Sequence, residues 1–228
     1  MPGRHAVLSA SSSHRWISCP PSARLCAAAR DRPSAYAQQG TDAYCSYVLG
    51  QYGDAKRHCP DPLILIEQRL DFSRWVPSGF GTGDCVIVAD NVLHVIDFKY
   101  GRGVLVDAED NPQMRCYALG ALDAYGSIYD ISTIKMTIFQ PRRDNISTSE
   151  ISREELLSWA DTVLSPAARL AHEGSGEFRA GEHCRFCSAK TSCQEHAGYS
   201  NRLAAYDFMA PDAGGRPGHS TDNDDFKE

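Results

Sequence analysis

Apolar residues recur along the chain in runs whose lengths and spacing predict alternating helices and strands. Short runs rich in β-branched residues predict strands at 63–70, 85–89, 92–98 and 131–140. Longer segments with apolar residues at helical spacing predict helices at 33–52, 112–126 and 152–173. The order α-β-β-β-α-β-α predicts an α/β fold in which helices flank a central mixed sheet.

The same pattern divides the chain into four regions. Residues 1–60 form an N-terminal helical segment, which begins with a loop running into a short helix, and residues 61–180 form the core. Residues 181–200 are rich in cysteine. Residues 201–228 are acidic and poor in apolar residues, which predicts a disordered tail.

Composition narrows the classes of protein that need to be considered. Hydrophobic residues make up 42% of the 228 residues, which is enough for a core, but no apolar run approaches the roughly 18 residues that span a bilayer. The N-terminus has no secretory h-region, so we expect a cytoplasmic protein, in a bacterium or a phage-infected host cell. The net charge of −6 does not favour nucleic-acid binding, although a site that gathers carboxylates for a metal adds negative charge.

Two aspartates and a lysine mark the end of the predicted hairpin. Asp90-Asn91 forms the turn between the two apolar runs, so Asp84 and Asp97 are expected to lie near each other. Strand alternation places Asp97 and Lys99 on one face. Carboxylates bind Mg²⁺ or Mn²⁺, and a lysine orients water or steadies charge on a phosphate, so this trio suits phosphodiester hydrolysis. A surface hairpin with ordinary charges is the alternative for the trio taken alone.

The wider motif resembles the PD-(D/E)XK nucleases, specifically their RecB-like branch. It comprises Glu67, Gly83-Asp84, the run Ile96-Asp97-Phe98-Lys99, and Gln113 with Tyr117 one helical turn later. The resemblance implies a restriction-endonuclease-like core. It also implies that Asp84, Asp97 and the Phe98 backbone carbonyl bind the metal, that Lys99 is the catalytic lysine, and that Gln113 and Tyr117 support the site or contact DNA.

Two positions leave the number of metal ions open. Glu67 stands where many relatives carry an acidic residue that reaches the metal through water, but a surface Glu on an edge strand fits the sequence equally well. Many RecB-like relatives also carry a metal-binding His in a G-T-x-x-H context. Here Gly40-Thr41 leads to Tyr44, which is a poor Mg²⁺ ligand. We therefore expect one firmly held metal rather than two.

A second constellation consists of cysteines. Cys184, Cys187 and Cys193 have C-x2-C-x5-C spacing, which indicates a metal site that needs a fourth ligand, and Cys19 is the best candidate. The arrangement resembles AddB-type and CRISPR-associated RecB-like nucleases, which hold a [4Fe–4S] cluster with one Cys before the nuclease core and three after it. That resemblance implies a cluster that staples the segments near the two termini. Zn²⁺ held with His183 or His196, or unliganded thiols, are the alternatives.

These features predict a Mg²⁺- or Mn²⁺-dependent DNA nuclease. By analogy with the family, we expect an exonuclease acting on linear or single-stranded DNA in phage or mobile-element recombination or repair, with a recombination partner protein or a homo-oligomer as further options. The rivals are a non-catalytic module that binds DNA ends or proteins, and a redox or zinc regulatory protein. Four arginines are candidates for phosphate contact or for a solvated surface: Arg102, Arg115, Arg142 and Arg143.

Overall fold

The computed structural model describes Ala10 and residues 13–20, 41–101 and 103–207. Its helices are α1 (Ser13–Ser18), α2 (Thr41–Ala55), α3 (Pro112–Tyr125), α4 (Arg153–Trp159), α5 (Ser165–Glu173) and α6 (Gln194–Asp207). A π-helical turn, Ala160–Leu164, joins α4 to α5, and short 3-10 turns occupy Pro141–Arg143 and Glu182–Phe186. The strands are β1 (Leu63–Asp71), β2 (Phe80–Ala89), β3 (Asn91–Phe98), β4 (Ile131–Gln140) and β5 (Asn145–Ser152).

The five strands form one mixed sheet in sequential order. All neighbouring pairs are antiparallel except β3 and β4, which run parallel. Parallel neighbours need a crossover connection, and α3 supplies it. As a result the carboxyl ends of β3 and β4 lie at the same edge of the sheet, with Phe98 paired to Phe139. The predicted α/β class, a central mixed sheet flanked by helices, is confirmed.

The core lies mainly between the sheet and α3. Val86 and Val95 project from the sheet toward buried residues of α3 such as Met114 and Leu119. On the opposite face, α2 covers a smaller cluster that includes Val48 of the helix and Cys85, Ile87 and Ile96 of the strands. Burial on both faces explains why β2 and β3 are almost continuously apolar rather than alternating.

Several element predictions are confirmed and others need correction. Asp90 and Asn91 form the two-residue turn between β2 and β3, and Asn91 adopts a left-handed conformation (φ 71°) that asparagine tolerates. The helix predicted to end before Gly53 instead continues to Ala55, since an exposed Gly inside a helix costs only about 1 kcal/mol. Helix α6 crosses the boundary expected at residue 200, and β5 was not predicted. Residues 33–40 of the predicted second helix and the tail beyond residue 207 lie outside the described residues.

No helix in the described ranges is both long enough and apolar enough to cross a membrane.

Candidate active site

The β2–β3 hairpin brings Asp84 and Asp97 together. The register pairs Cys85 with Ile96, so the next positions outward, Asp84 and Asp97, face each other across the two strands. Both side chains project toward α3, on the same face as Val86 and Val95. Asp84 Oδ2 also accepts the Phe98 backbone N–H at 2.7 Å, which ties the end of β3 to the middle of β2.

Helix α3 begins beside these carboxylates, and its first turn delivers Gln113. The Asn111 side chain accepts hydrogen bonds from the backbone N–H groups of Gln113 and Met114, and Pro112 occupies the first turn. Gln113 Nε2 donates to Asp97 Oδ1 at 3.1 Å and to the Tyr117 hydroxyl at 3.2 Å. Gln113 Oε1 accepts from Lys99 Nζ at 3.1 Å. One amide therefore links Asp97, Lys99 and Tyr117, whereas Asp84 is held separately through the Phe98 N–H.

Lys99 and Asp97 form an ion pair at the centre of the site. Lys99 Nζ lies 2.9 Å from Asp97 Oδ2, with the Lys99 side chain 30% exposed and that of Asp97 only 5% exposed. Despite that proximity, Asp97 Oδ2 is a buried oxygen that accepts no hydrogen bond. The Lys99 ammonium therefore compensates the charge of this oxygen without a well-directed hydrogen bond, which leaves the oxygen able to bind a further cation.

The electrostatics show how tightly negative charge is packed here. Burial and the neighbouring Asp97 raise the pKa of Asp84 to about 6, although the Phe98 N–H opposes the shift. Burial, followed by Cys85 and the Asp84 and Asp97 carboxylates, raises the pKa of Tyr44. Burial is also the main cause of a raised pKa at Tyr117. The site favours an added positive charge, which would relieve this crowding.

Glu67 stands beside the two aspartates on β1. It lies between Ile66 and Gln68, whose partners on β2 flank Asp84, and it is exposed; its charge helps to raise the pKa of Asp84. Its backbone is left-handed (φ 50°), which is uncommon for a non-glycine residue and interrupts the pairing between Ile66 and Gln68. Glu67 is therefore exposed, as expected for a surface residue. It also lies near the Asp84 carboxylate, as expected for an acid that reaches the metal through water.

Close packing around Tyr117 explains why residue 81 is a glycine, which the sequence motif alone does not explain. A Cβ atom added at Gly81 would lie 2.6 Å from Tyr117 Cε1, so only glycine leaves room for the tyrosine ring against β2. Tyr117 is 5% exposed, and its hydroxyl holds Gln113. The sequence analysis missed this role of Gly81 because it depends on how closely α3 approaches β2.

Tyr44 approaches the same edge of the sheet from α2. Its hydroxyl donates to the Ile96 carbonyl oxygen at 3.5 Å, and its ring packs against Phe98 and Phe139 at centroid distances of 4.9 and 5.7 Å. The position where a metal-binding His was expected thus places an aromatic ring on the α2 side of β3, opposite the face that carries Asp97.

The four predicted cysteines line one cavity. Cys19 follows α1, Cys184 lies in the 3-10 turn, and Cys187 and Cys193 lie between that turn and α6. His183 and His196 line the same cavity, as do the basic residues Arg179 and Lys190. In the described ranges, no three His, Cys, Asp or Glu side chains are already arranged to hold a metal ion. The predicted ligands therefore line one cavity, but their side chains are not arranged to coordinate a metal ion.

Comparison with known families assigns the chain. The model of a family described as "Protein of unknown function (DUF2800)" matches residues 5–44 and 41–225, so the chain belongs to that family. A solved structure described as "Crystal structure of SSO0001" is similar to this chain, with a TM-score of 0.42 and 13% identity. The similarity covers 82% of this chain and 86% of that chain.

Proposed function

We propose that this protein is a metal-dependent DNA nuclease with a restriction-endonuclease-like core. The observation that carries the proposal is the network in which Gln113 joins Asp97 and Lys99 beside Asp84. The linked residues come from the end of β3 and the start of α3, and a set of unrelated surface charges would not share hydrogen bonds in this way.

The residues present fit Mg²⁺ or Mn²⁺. Asp84 and Asp97 supply oxygen ligands of the kind these hard cations prefer, and the Phe98 carbonyl is a third candidate from the same strand end. The raised pKa of Asp84 favours a cation at this point, and the buried Asp97 Oδ2, whose neighbour is the Lys99 ammonium, accepts no hydrogen bond that would compete with a metal. When bound, the metal supplies Lewis acidity toward a phosphodiester and an attacking water. Two side-chain carboxylates and a carbonyl suit one firmly held metal.

The protein groups divide the remaining work between them. The Lys99 side chain, held by Asp97 and Gln113, is partly exposed, so its ammonium can orient the water or stabilise charge that develops on the phosphate. Gln113 fixes the positions of both charged groups and is itself held by the Tyr117 hydroxyl. Asp84 binds the Phe98 N–H and so sets where the catalytic strand ends. This pre-arranged geometry reduces the reorganisation needed in the transition state.

The cysteine cavity belongs to the same proposal as a structural element. Cys19, Cys184, Cys187 and Cys193 share one cavity, which supports a [4Fe–4S] cluster that ties the segment after α1 to the segment before α6. Zn²⁺ at the same thiolates is the alternative outcome. We further propose that the protein acts on linear or single-stranded DNA. The setting is recombination or repair of a phage or mobile element in the cytoplasm.

A cleavage assay tests the proposal. End-labelled linear duplex and single-stranded DNA are incubated with the full chain in Mg²⁺, in Mn²⁺ and in EDTA, beside Asp97→Ala. We expect cleavage with either metal, none in EDTA, and none with Asp97→Ala. Equal cleavage by the wild type and Asp97→Ala would remove the assignment and favour a contaminating nuclease. Metal-independent DNA binding with no cleavage would favour the non-catalytic module instead.

A further inference from the structure

An aromatic column leads from the sheet to an arginine at the same sheet edge as the candidate active site. The rings of Phe139 and Phe98 stack at 6.4 Å, and those of Phe98 and Tyr100 at 5.9 Å, with interplanar angles of 25° and 26°. The Arg142 guanidinium lies 5.1 Å from the centre of the Tyr100 ring. Phe139 is 5% exposed, so the column is anchored in the core and ends at an exposed cation.

The parallel pairing of β3 and β4 puts this arginine at the catalytic edge of the sheet. The Lys99 N–H donates to the Phe139 carbonyl at 2.9 Å, and the Pro141–Arg143 turn begins directly after β4. Tyr100 stacks on Phe98, which places it on the α2 side of the edge, whereas Asp97 faces α3. A DNA strand that crosses the edge past Lys99 would therefore meet Arg142 on the other side.

The charge of Arg142 is available to a ligand. No carboxylate within the described ranges forms an ion pair with it. Arg115, another candidate from the sequence, is instead buried against Asp110 and Trp159. A guanidinium matches the oxygens of a phosphate in a two-pronged contact, and stacking on an aromatic ring fixes its position before the ligand arrives.

We infer that Arg142, positioned by Tyr100, binds a backbone phosphate of the substrate strand adjacent to the one that is cleaved. The inference rests on the proposed nuclease function and extends it by assigning a phosphate subsite on the α2 side of the sheet edge. Arg142 contacts the substrate directly, and Tyr100 acts as its positioning residue.

Binding measurements test the subsite independently of cleavage. Fluorescence anisotropy with a labelled single-stranded oligonucleotide in Ca²⁺ compares the wild type with Arg142→Ala, Arg142→Lys, Tyr100→Ala and Tyr100→Phe. Arg142→Ala is expected to weaken binding about tenfold and to reduce the slope of log affinity against log salt by about 0.7, the value for one lost phosphate contact on a single strand. Tyr100→Ala should approach that loss, and Tyr100→Phe should restore most of the binding.

Arg74→Ala is the matched control. Arg74 also lies 5.1 Å from an aromatic ring, that of Trp75, but it is paired with Asp123 at 3.2 Å. This variant should bind like the wild type. If Arg142→Ala also binds like the wild type, the subsite is wrong.

Single neutral methylphosphonates, walked along the oligonucleotide, then locate the contact. A methylphosphonate at one position next to the cleaved phosphate should weaken oligonucleotide binding by the wild type. It should not weaken binding by Arg142→Ala any further. If the methylphosphonate and Arg142→Ala weaken binding independently at every position, so that their effects add, the inference is overturned. Cleavage with no effect of Arg142 removes the subsite alone, whereas the expected binding pattern without cleavage removes the nuclease activity alone. An absence of oligonucleotide binding removes both.

Discussion

Asp84 Oδ2 accepts the Phe98 backbone N–H at 2.7 Å, so a carboxylate on β2 fixes the end of β3, from which the next residue, Lys99, extends. That contact keeps the half-buried Asp84 carboxylate close to the buried Asp97, since these residues lie one position beyond the Cys85–Ile96 pair. The protein holds this repulsive pair at the edge of its sheet with little access to water, which is a cost that a bound cation would offset.

Replacing Asp84 should therefore stabilise the metal-free protein. Asp84→Asn removes one of the crowded charges and keeps an oxygen that can accept the Phe98 N–H. In EDTA at pH 8 we expect its free energy of unfolding, measured in urea, to exceed that of the wild type by about 1–3 kcal/mol. Mn²⁺ at about 100 times Kd should add about 2.7 kcal/mol to the wild type and little to the variant.

Asp144→Asn is the control for this comparison because Asp144 is exposed in a turn and Asn also tolerates its left-handed backbone. It should leave both the metal-free stability and the response to Mn²⁺ unchanged. A metal response in Asp84→Asn equal to that of the wild type would contradict the ligand role of Asp84.

The packing of Tyr117 against β2 predicts a sensitive glycine. Gly81→Ala places a methyl group against the tyrosine ring, and we expect a loss of about 1–3 kcal/mol in unfolding free energy. Because the Tyr117 hydroxyl holds Gln113, nuclease activity should fall about tenfold to a hundredfold in the same variant. Gly53→Ala, where the methyl group meets no atom within 4 Å, should be neutral or stabilising by up to about 1 kcal/mol. Equal effects of the two substitutions would argue against the close packing.

His94 predicts a specific acid sensitivity. It is 5% exposed and lies 2.9 Å from Thr137 Oγ1, and burial lowers its pKa to about 3. The His94 side chain takes up a proton near pH 6.5 in the unfolded chain but stays neutral in the folded chain. The contribution of His94 to the free energy of unfolding is therefore fully present above pH 6.5 and is lost as the pH falls toward 3. Between pH 6.5 and pH 5 the loss should be roughly 2 kcal/mol.

The variant His94→Gln cannot titrate and should lose correspondingly less stability over that range, whatever its stability at pH 8. Urea unfolding of both proteins at half-unit pH intervals measures the difference in slope. Identical slopes would show that His94 is protonated in the folded protein.

Metal analysis tests the cysteine cavity. Protein prepared anaerobically should be brown and should contain iron and sulfide, and Cys19→Ser or Cys184→Ser should abolish the colour and lower the melting temperature. Cys45→Ser is the control, because Cys45 is exposed on α2 and is not among the cavity's lining residues. Colourless wild-type protein that contains zinc would replace the cluster with a zinc site, and metal-free protein would remove both.

Much of the fold and of the candidate site follows from local patterns in the sequence. The apolar runs and the Asp90-Asn91 turn predict the hairpin, and strand alternation then brings Asp84, Asp97 and Lys99 to one place. Strand β5 escaped prediction because it has little apolar character: Ile146 is 54% exposed, and backbone pairing with β4 defines the strand.

Other features depend on tertiary approach, which no local pattern encodes. The Gly81–Tyr117 contact and the Tyr100–Arg142 stack each join residues far apart in the sequence. The Asn111 cap could have been recognised from the Asn-Pro pair that precedes α3. No residue pattern around Glu67 predicts the left-handed backbone at this position.

The rate of DNA cleavage by Lys99→Ala tests the central claim most directly. Lys135 provides the matched control, since it projects from the neighbouring strand, is 28% exposed against 30% for Lys99, and is likewise paired with a carboxylate, that of Glu150. With end-labelled DNA and Mn²⁺, we predict that Lys99→Ala cleaves about 10²–10³-fold more slowly than the wild type, while Lys135→Ala cleaves at the wild-type rate. Equal rates for Lys99→Ala and the wild type would contradict the account.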